Sequence, residues 1–122
     1  MLKKRLIIAG GRDFNDYSLL ETEINSFLIE NNLDKDNCAI VSGHARGADK
    51  LGELFARKNG FELLLFRANW ALYGKSAGMF RNVQMAKNST HCLAFWDGQS
   101  RGTKHMIDMA KKYGITHRVT RY

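Results

Sequence analysis

The chain contains no proline in 122 residues, so glycine and asparagine must provide its punctuation. Cysteine is scarce. Cys38 and Cys92 stand far apart with no second ligand at metal spacing, so no metal or other cofactor is expected. Each opens an apolar run ("CAIV", "CLAFW"), the setting of a buried thiol in a reducing cytoplasm. No apolar stretch approaches the roughly 20 residues needed to cross a bilayer, so no membrane partner is expected. The basic start "MLKKRLIIAGG" carries only the short apolar run Leu6 to Ala9. A secretory leader needs about 7–15 such residues. That segment is therefore read as a first β-strand, and the protein is expected to be cytoplasmic.

Two nucleotide fingerprints are missing as well. Gly10-Gly11 is not followed by a GxGxxG pattern, and "SGHARGAD" carries no GKS/T of an ATPase phosphate loop.

What is present is an ordinary globular composition, 44% hydrophobic and 25% charged, with a formal charge of +7. Residues 10–16, 42–49, 67–82 and 96–104 hold seven Lys/Arg and four Asp among the chain's 19 Lys/Arg and 12 Asp/Glu. Positive charge is thus modestly denser in these windows. That favours an anionic partner and permits, without requiring, a nucleic-acid groove.

The chain alternates between two periodicities. "RLIIAG", "CAIVSG", "FELLLF", "HCLAFW" and "THRVTR" read as five short strands. Between them lie four helical stretches, marked by Tyr17, Leu20, Ile24, Phe27 and Leu28, by Ala48, Leu51 and Phe55, by Met79, Val83 and Ala86, and by Thr103, Met106, Ile107 and Ala110. Asn15 or Asp16 can cap the first helix, and Asn59-Gly60 closes the second. The pattern predicts one α/β domain over 1–122, with a five-stranded parallel sheet and helices on both faces. In such sheets ligands bind beyond the carboxyl ends of the strands, where strand order reverses. "GGRDFND", "SGHARGAD", "RANWALYGKSAGMFRN" and "WDGQSRGT" each follow a strand, so all four should gather on one edge.

Each segment has a chemistry that suits a ligand and a plainer alternative. Gly10 and Gly11 allow close backbone approach, and Arg12 can meet a phosphate or carboxylate, or pair with neighbouring loops. Ser42 and Gly43 through Gly47 lead into a helix whose N–H groups favour an anion, with Arg46 as a further donor. Asp49 falls in that helix's first turn, where the dipole alone stabilises an acid. His44 has the pKa range of a general base, or is an incidental loop residue. Arg81 and Asn82 sit early in the third helix, where solvent would explain them as well. Asp97, Gly98, Ser100, Arg101, Gly102 and Thr103 repeat the turn-and-helix-start physics, with Asp97 facing a ribose or bracing the loop. Trp70, Tyr73 and Trp96 can stack on a base or belong to the core.

Taken together, "IIAGGRDF", "VSGHARGAD", "AGMFRNVQM" and "FWDGQSRGT" resemble the signature blocks of the YspA-like, YpsA-related branch of the SLOG superfamily. That superfamily also includes the LOG phosphoribohydrolases and the DNA-processing protein DprA. The resemblance implies a Rossmann-like, homodimeric domain that binds a nucleotide or nucleotide-derived ligand, including ADP-ribose-type or cyclic nucleotide signals, as a sensor or sequestering domain. It implies ligand loops at Gly10 to Arg12, Ser42 to Gly47, Arg81-Asn82 and Asp97 to Thr103. The alternative it offers is hydrolysis of a nucleotide N-glycosidic bond, with Arg81 matching the family arginine. Asp97 or Asp49 can stand in for the missing acid, and His44, by its own chemistry, is a further candidate catalytic residue. The LOG glutamate is replaced here by Met106. A second alternative is single-stranded nucleic-acid binding of the DprA kind.

Overall fold

The computed structural model describes residues 3–122. Met1 and Leu2 of the expected domain lie outside the described residues. In chain order the elements are β1 (Lys4–Gly10), α1 (Tyr17–Glu30), β2 (Cys38–Ser42), α2 (Ala48–Asn59), β3 (Leu63–Leu65), α3 (Trp70–Tyr73), a 3-10 turn (Gly74–Ser76), α4 (Ala77–Lys87), β4 (His91–Trp96), α5 (Arg101–Lys112) and β5 (Thr116–Arg121).

The five strands form one parallel sheet in the order β3-β2-β1-β4-β5. Side chains alternate across it. Leu6, Ile8, Ile40, Leu93 and Phe95 join α1 and α2 in one core through Leu20, Ile24, Phe27 and Phe55. Ile7, Ala9, Val41 and Cys92 join α4 and α5 in the other through Met85, Ala86, Met106 and Ala110. Burial on both faces explains why the central strands read as continuous apolar runs. The chain moves outward from β1 to β3 and then returns to β4, so strand order reverses between β1 and β4. This is the expected Rossmann-like α/β architecture.

Local chemistry sets the element ends. Asp16 caps α1, its Oδ1 accepting the Leu19 N–H at 3.0 Å. Ser100 caps α5, and α2 closes on Gly60 in the left-handed region at φ 72°.

Three details differ from the expectation. β3 keeps only three residues of "FELLLF", because Phe61 is still tied to the end of α2 through its N–H to Ala56 O, at 3.0 Å. The segment expected to be irregular holds a helical turn, α3, capped by Asn69, whose Oδ1 accepts the Leu72 N–H at 3.0 Å. Helix α4 buries Ala77, Asn82, Met85 and Ala86, whereas Met79 is exposed. Its inward stripe is rotated from the one the apolar residues suggested, since a polar residue, Asn82, occupies the inner face.

Candidate functional site

All four polar segments meet at the carboxyl edge of the sheet. Backbone bonds knit the first two together. The Gly11 N–H donates to Phe95 O at 3.1 Å, and Gly11 O accepts from both Phe14 and Ala48 at 3.2 Å. Phe14 then stacks on Phe95, with ring centroids 4.9 Å apart. Gly47 adopts φ 78°, and a Cβ there would lie 2.2 Å from Gly11 O, so only glycine permits this contact.

Between these loops and the start of α5 lies a cavity of about 340 Å³. Its floor is apolar, formed by Ala9, Met85 and Met106. Its walls carry Arg12, Asp13, Asp49, Arg81, Asn82, Asp97, Ser100 and Thr103. It opens at the β1/β4 reversal, the place the topology designates for a ligand. A second cavity of about 300 Å³ lies beside it, lined by Arg12, Gly43, His44, Ala45, Arg46, Arg67, Trp70 and Arg81. Arg12, Ala45 and Arg81 belong to both chambers.

Arg81 is fixed as the partition. Its Nη1 donates to Gly43 O at 2.8 Å and its Nε to Asn82 Oδ1 at 3.2 Å. A Cβ on Gly43 would meet Arg81 Cδ at 2.9 Å, so the glycine makes room for the guanidinium stem. Burial lowers the Arg81 pKa from its ordinary value, opposed by the nearby Asp49 carboxylate. Asn82, itself buried, donates to Gly102 O at 3.3 Å and shares a hydrogen bond with His105 Nδ1 at 3.1 Å, joining α4 to the start of α5.

Asp49 is 5% exposed. One carboxylate oxygen accepts the Ala45 N–H at 3.1 Å. Burial raises its pKa to about 6, with the Ala45 bond and the Arg81 and Arg12 charges holding it back. Asp97 contrasts with it. Its Oδ1 accepts the N–H groups of Ser100 and Gln99, both at 2.8 Å, and those bonds keep its pKa below the ordinary value. Asp97 therefore braces the turn while lining the cavity. Ser100 Oγ accepts the Thr103 N–H at 3.4 Å, whereas the Arg101 and Gly102 N–H groups have no acceptor among the described residues.

Other expected site residues are placed elsewhere. Ser42 is fully buried, its hydroxyl donating to Glu53 Oε2 at 2.8 Å and accepting the His44 N–H at 3.1 Å. It lines neither cavity. Gly98 packs on Arg121, and Arg101 is exposed outside both cavity linings. His44 has left-handed backbone at φ 63°, and its Nδ1 lies 2.9 Å from Glu53 Oε2. Lys50 Nζ approaches its Nε2 at 3.0 Å. This ring is anchored rather than free. Trp96 donates to Ser100 O at 3.1 Å and lies under the Arg121 guanidinium at 5.1 Å, so it serves the loop. Trp70 remains 52% exposed at the second cavity.

Sequence reasoning missed Glu53, Arg67 and the burial of Asp49. Glu53 is 1% exposed. A signal existed: Asp49 and Glu53, four apart, share a helix face with Gly52, Phe55 and Ala56, all buried. Acids on an apolar stripe are unusual and point inward. The two thiols are buried as expected, and burial pushes Cys38 up to about 11 and Cys92 up to about 12. No helix among the described residues is long and apolar enough to cross a membrane.

Comparison with known proteins identifies the family and the fold. The model of the YspA, cpYpsA-related SLOG family (YAcAr) matches residues 4–73. "Gene 61 protein" of Mycobacterium phage D29 is 36% identical over 118 residues, covering 92% of both chains. The chain therefore belongs to the YspA, cpYpsA-related SLOG family. Its fold is also that of DNA processing protein A (DprA) from Streptococcus pneumoniae, with a TM-score of 0.73 over 97% of this chain. Identity to that structure is 16%, and the chain spans 50% of its length, so the likeness is one of fold.

Proposed function

We propose that the protein binds a phosphorylated, nucleotide-derived small molecule at the carboxyl edge of its sheet, as a sensor or sequestering domain. The observation that carries this reading is the 340 Å³ cavity at the strand-order reversal, where anion donors and hydroxyl acceptors face one another. Arg12, Arg81 and Gly102 at the start of α5, whose N–H has no acceptor among the described residues, suit a phosphate. Asp49 and Asp97 suit the hydroxyls of a ribose. The apolar floor of Ala9, Met85 and Met106 suits the face of a sugar or base.

Calorimetry with nucleoside mono- and diphosphates, ADP-ribose and cyclic nucleotides tests the reading, alongside native mass spectrometry for a co-purified ligand. At least one ligand should bind with Kd below about 1 mM, and Arg81→Ala should weaken it about tenfold or more. Silence across the whole panel would overturn the reading.

One observation favours a hydrolytic version. Asp49, with its pKa near 6 and Arg81 close by, has the poise of a general acid or base near neutral pH. Met106, 1% exposed, occupies the floor where the LOG resemblance would place a glutamate, so that mechanism has no carboxylate at this position. Free base or ribose phosphate released by the wild type but not by Asp49→Asn would establish turnover. Intact ligand recovered after denaturing the complex would establish binding alone.

A further inference from the structure

The second chamber has a composition that a single phosphate in the first does not explain. Four arginines line it, Arg12, Arg46, Arg67 and Arg81, and no Asp or Glu does. None of the four has a carboxylate within 4.0 Å among the described residues; the arginine ion pairs there involve Arg57 and Arg118. Arg12 and Arg81 also reach the first cavity, but Arg46 and Arg67 line only the second. A phosphate beside the start of α5 would thus engage Arg12 and Arg81 and leave the other two without a counter-charge. Like charges gathered around one concave volume repel, and an anion placed there relieves several repulsions at once.

The residues around the chamber fit the same reading. His44 is anchored through Glu53, which does not line the chamber and whose carboxylate is engaged by Ser42, His44 and Arg57. Trp70, half exposed at the chamber's wall, offers a flat face beside the guanidinia. Nη2 of Arg81 has no protein acceptor among the described residues, leaving that donor for a ligand.

We propose that the arginine chamber is a second anion subsite, and that the ligand carries at least two phosphoryl groups, one in each chamber. The proposal rests on the reading of the first cavity as a nucleotide site. A small molecule fits better than a nucleic-acid strand. Asp13, Asp49 and Asp97 all line the first cavity and would oppose serial phosphates running through it, whereas they can accept from sugar hydroxyls. A diphosphate chain and two phosphates on separate sugar carbons share this chemistry.

The test compares AMP, ADP, adenosine 3′,5′-bisphosphate and a dT12 oligonucleotide by calorimetry, against wild type, Arg46→Ala, Arg67→Ala and Arg81→Ala. Arg46 and Arg67 are exposed, so their removal should leave folding intact, which circular dichroism checks. ADP or the bisphosphate should bind about tenfold or more tightly than AMP, and Arg67→Ala and Arg46→Ala should remove that advantage while leaving AMP within about twofold. Which of the two diphosphorylated ligands gains more identifies the linkage. AMP binding as tightly as both would overturn the second subsite while leaving the nucleotide reading intact. Tightest binding by the oligonucleotide, with steep salt dependence, would overturn the proposal in favour of a strand. No binding of any nucleotide would overturn both readings.

Discussion

The two chambers that meet at Arg12 and Arg81 are built on opposite terms. The first is made largely of residues the fold itself holds: Asp49, Asn82, Thr103 and Met106 are buried, and the polar ones are bonded to backbone or, for Thr103, to the Ser100 hydroxyl. The second takes its character from Arg46, Arg67 and Trp70, which are exposed and which the fold does not use. The difference teaches where shape and specificity come from. Topology supplies a crevice at the β1/β4 reversal whatever lines it. The charge of the neighbouring chamber depends on loop side chains that can change without disturbing the core.

Substitutions should separate the two accordingly. The largest effect is expected from Gly47→Ala, which imposes a left-handed backbone on alanine and drives its Cβ into Gly11 O. A loss of about 2–4 kcal/mol in urea unfolding is expected. An unchanged midpoint would mean that the first two loops are not rigidly joined.

Asp49→Asn should act in the other direction. The folded protein holds the Asp49 proton up to about pH 6, whereas an unfolded chain releases it near 4. Wild-type stability therefore falls as pH rises through that window, and the full penalty is present above it. At pH 7.5 the asparagine variant should be more stable by about 2–3 kcal/mol, a difference that vanishes below about pH 4. Thermal melts at the two pH values check this. A destabilised variant at pH 7.5 would show that the charged carboxylate supports the first chamber.

Ser100→Ala removes the cap of α5 and should cost about 1 kcal/mol, read by the same melts. The smallest effect on stability belongs to the second chamber. Arg46→Ala and Arg67→Ala should each stay within about 0.5 kcal/mol of wild type. A greater loss from either would make the arginines structural and erase the contrast.

Much of the fold was legible because its signals are local. The apolar runs of the central strands, the cap at Asp16 and the glycine at position 60 each act over a few residues. The edge strand β3 was overread, since the tail of α2 claims Phe61 through a bond that no periodicity announces. The candidate site was legible as four segments but not as two chambers. Ser42 looked like a ligand donor and His44 like a general base, because both types are polar and lie beside glycines. Their engagement with Glu53, 9 to 11 residues later, appears only when α2 folds back against β2.

The sequence by itself determined the alternation of strands and helices, the family, and the gathering of polar loops at one sheet edge. These follow from hydrophobic period, turn chemistry and the parallel topology that the periods impose. Only the tertiary structure decided which of those polar residues face the cavity and which face each other. Asp49 and Glu53 are both acids on one helix, yet one meets the crevice and the other closes on a serine and a histidine. Their roles differ because of what packs against each turn of α2, and packing is not a local property of the chain.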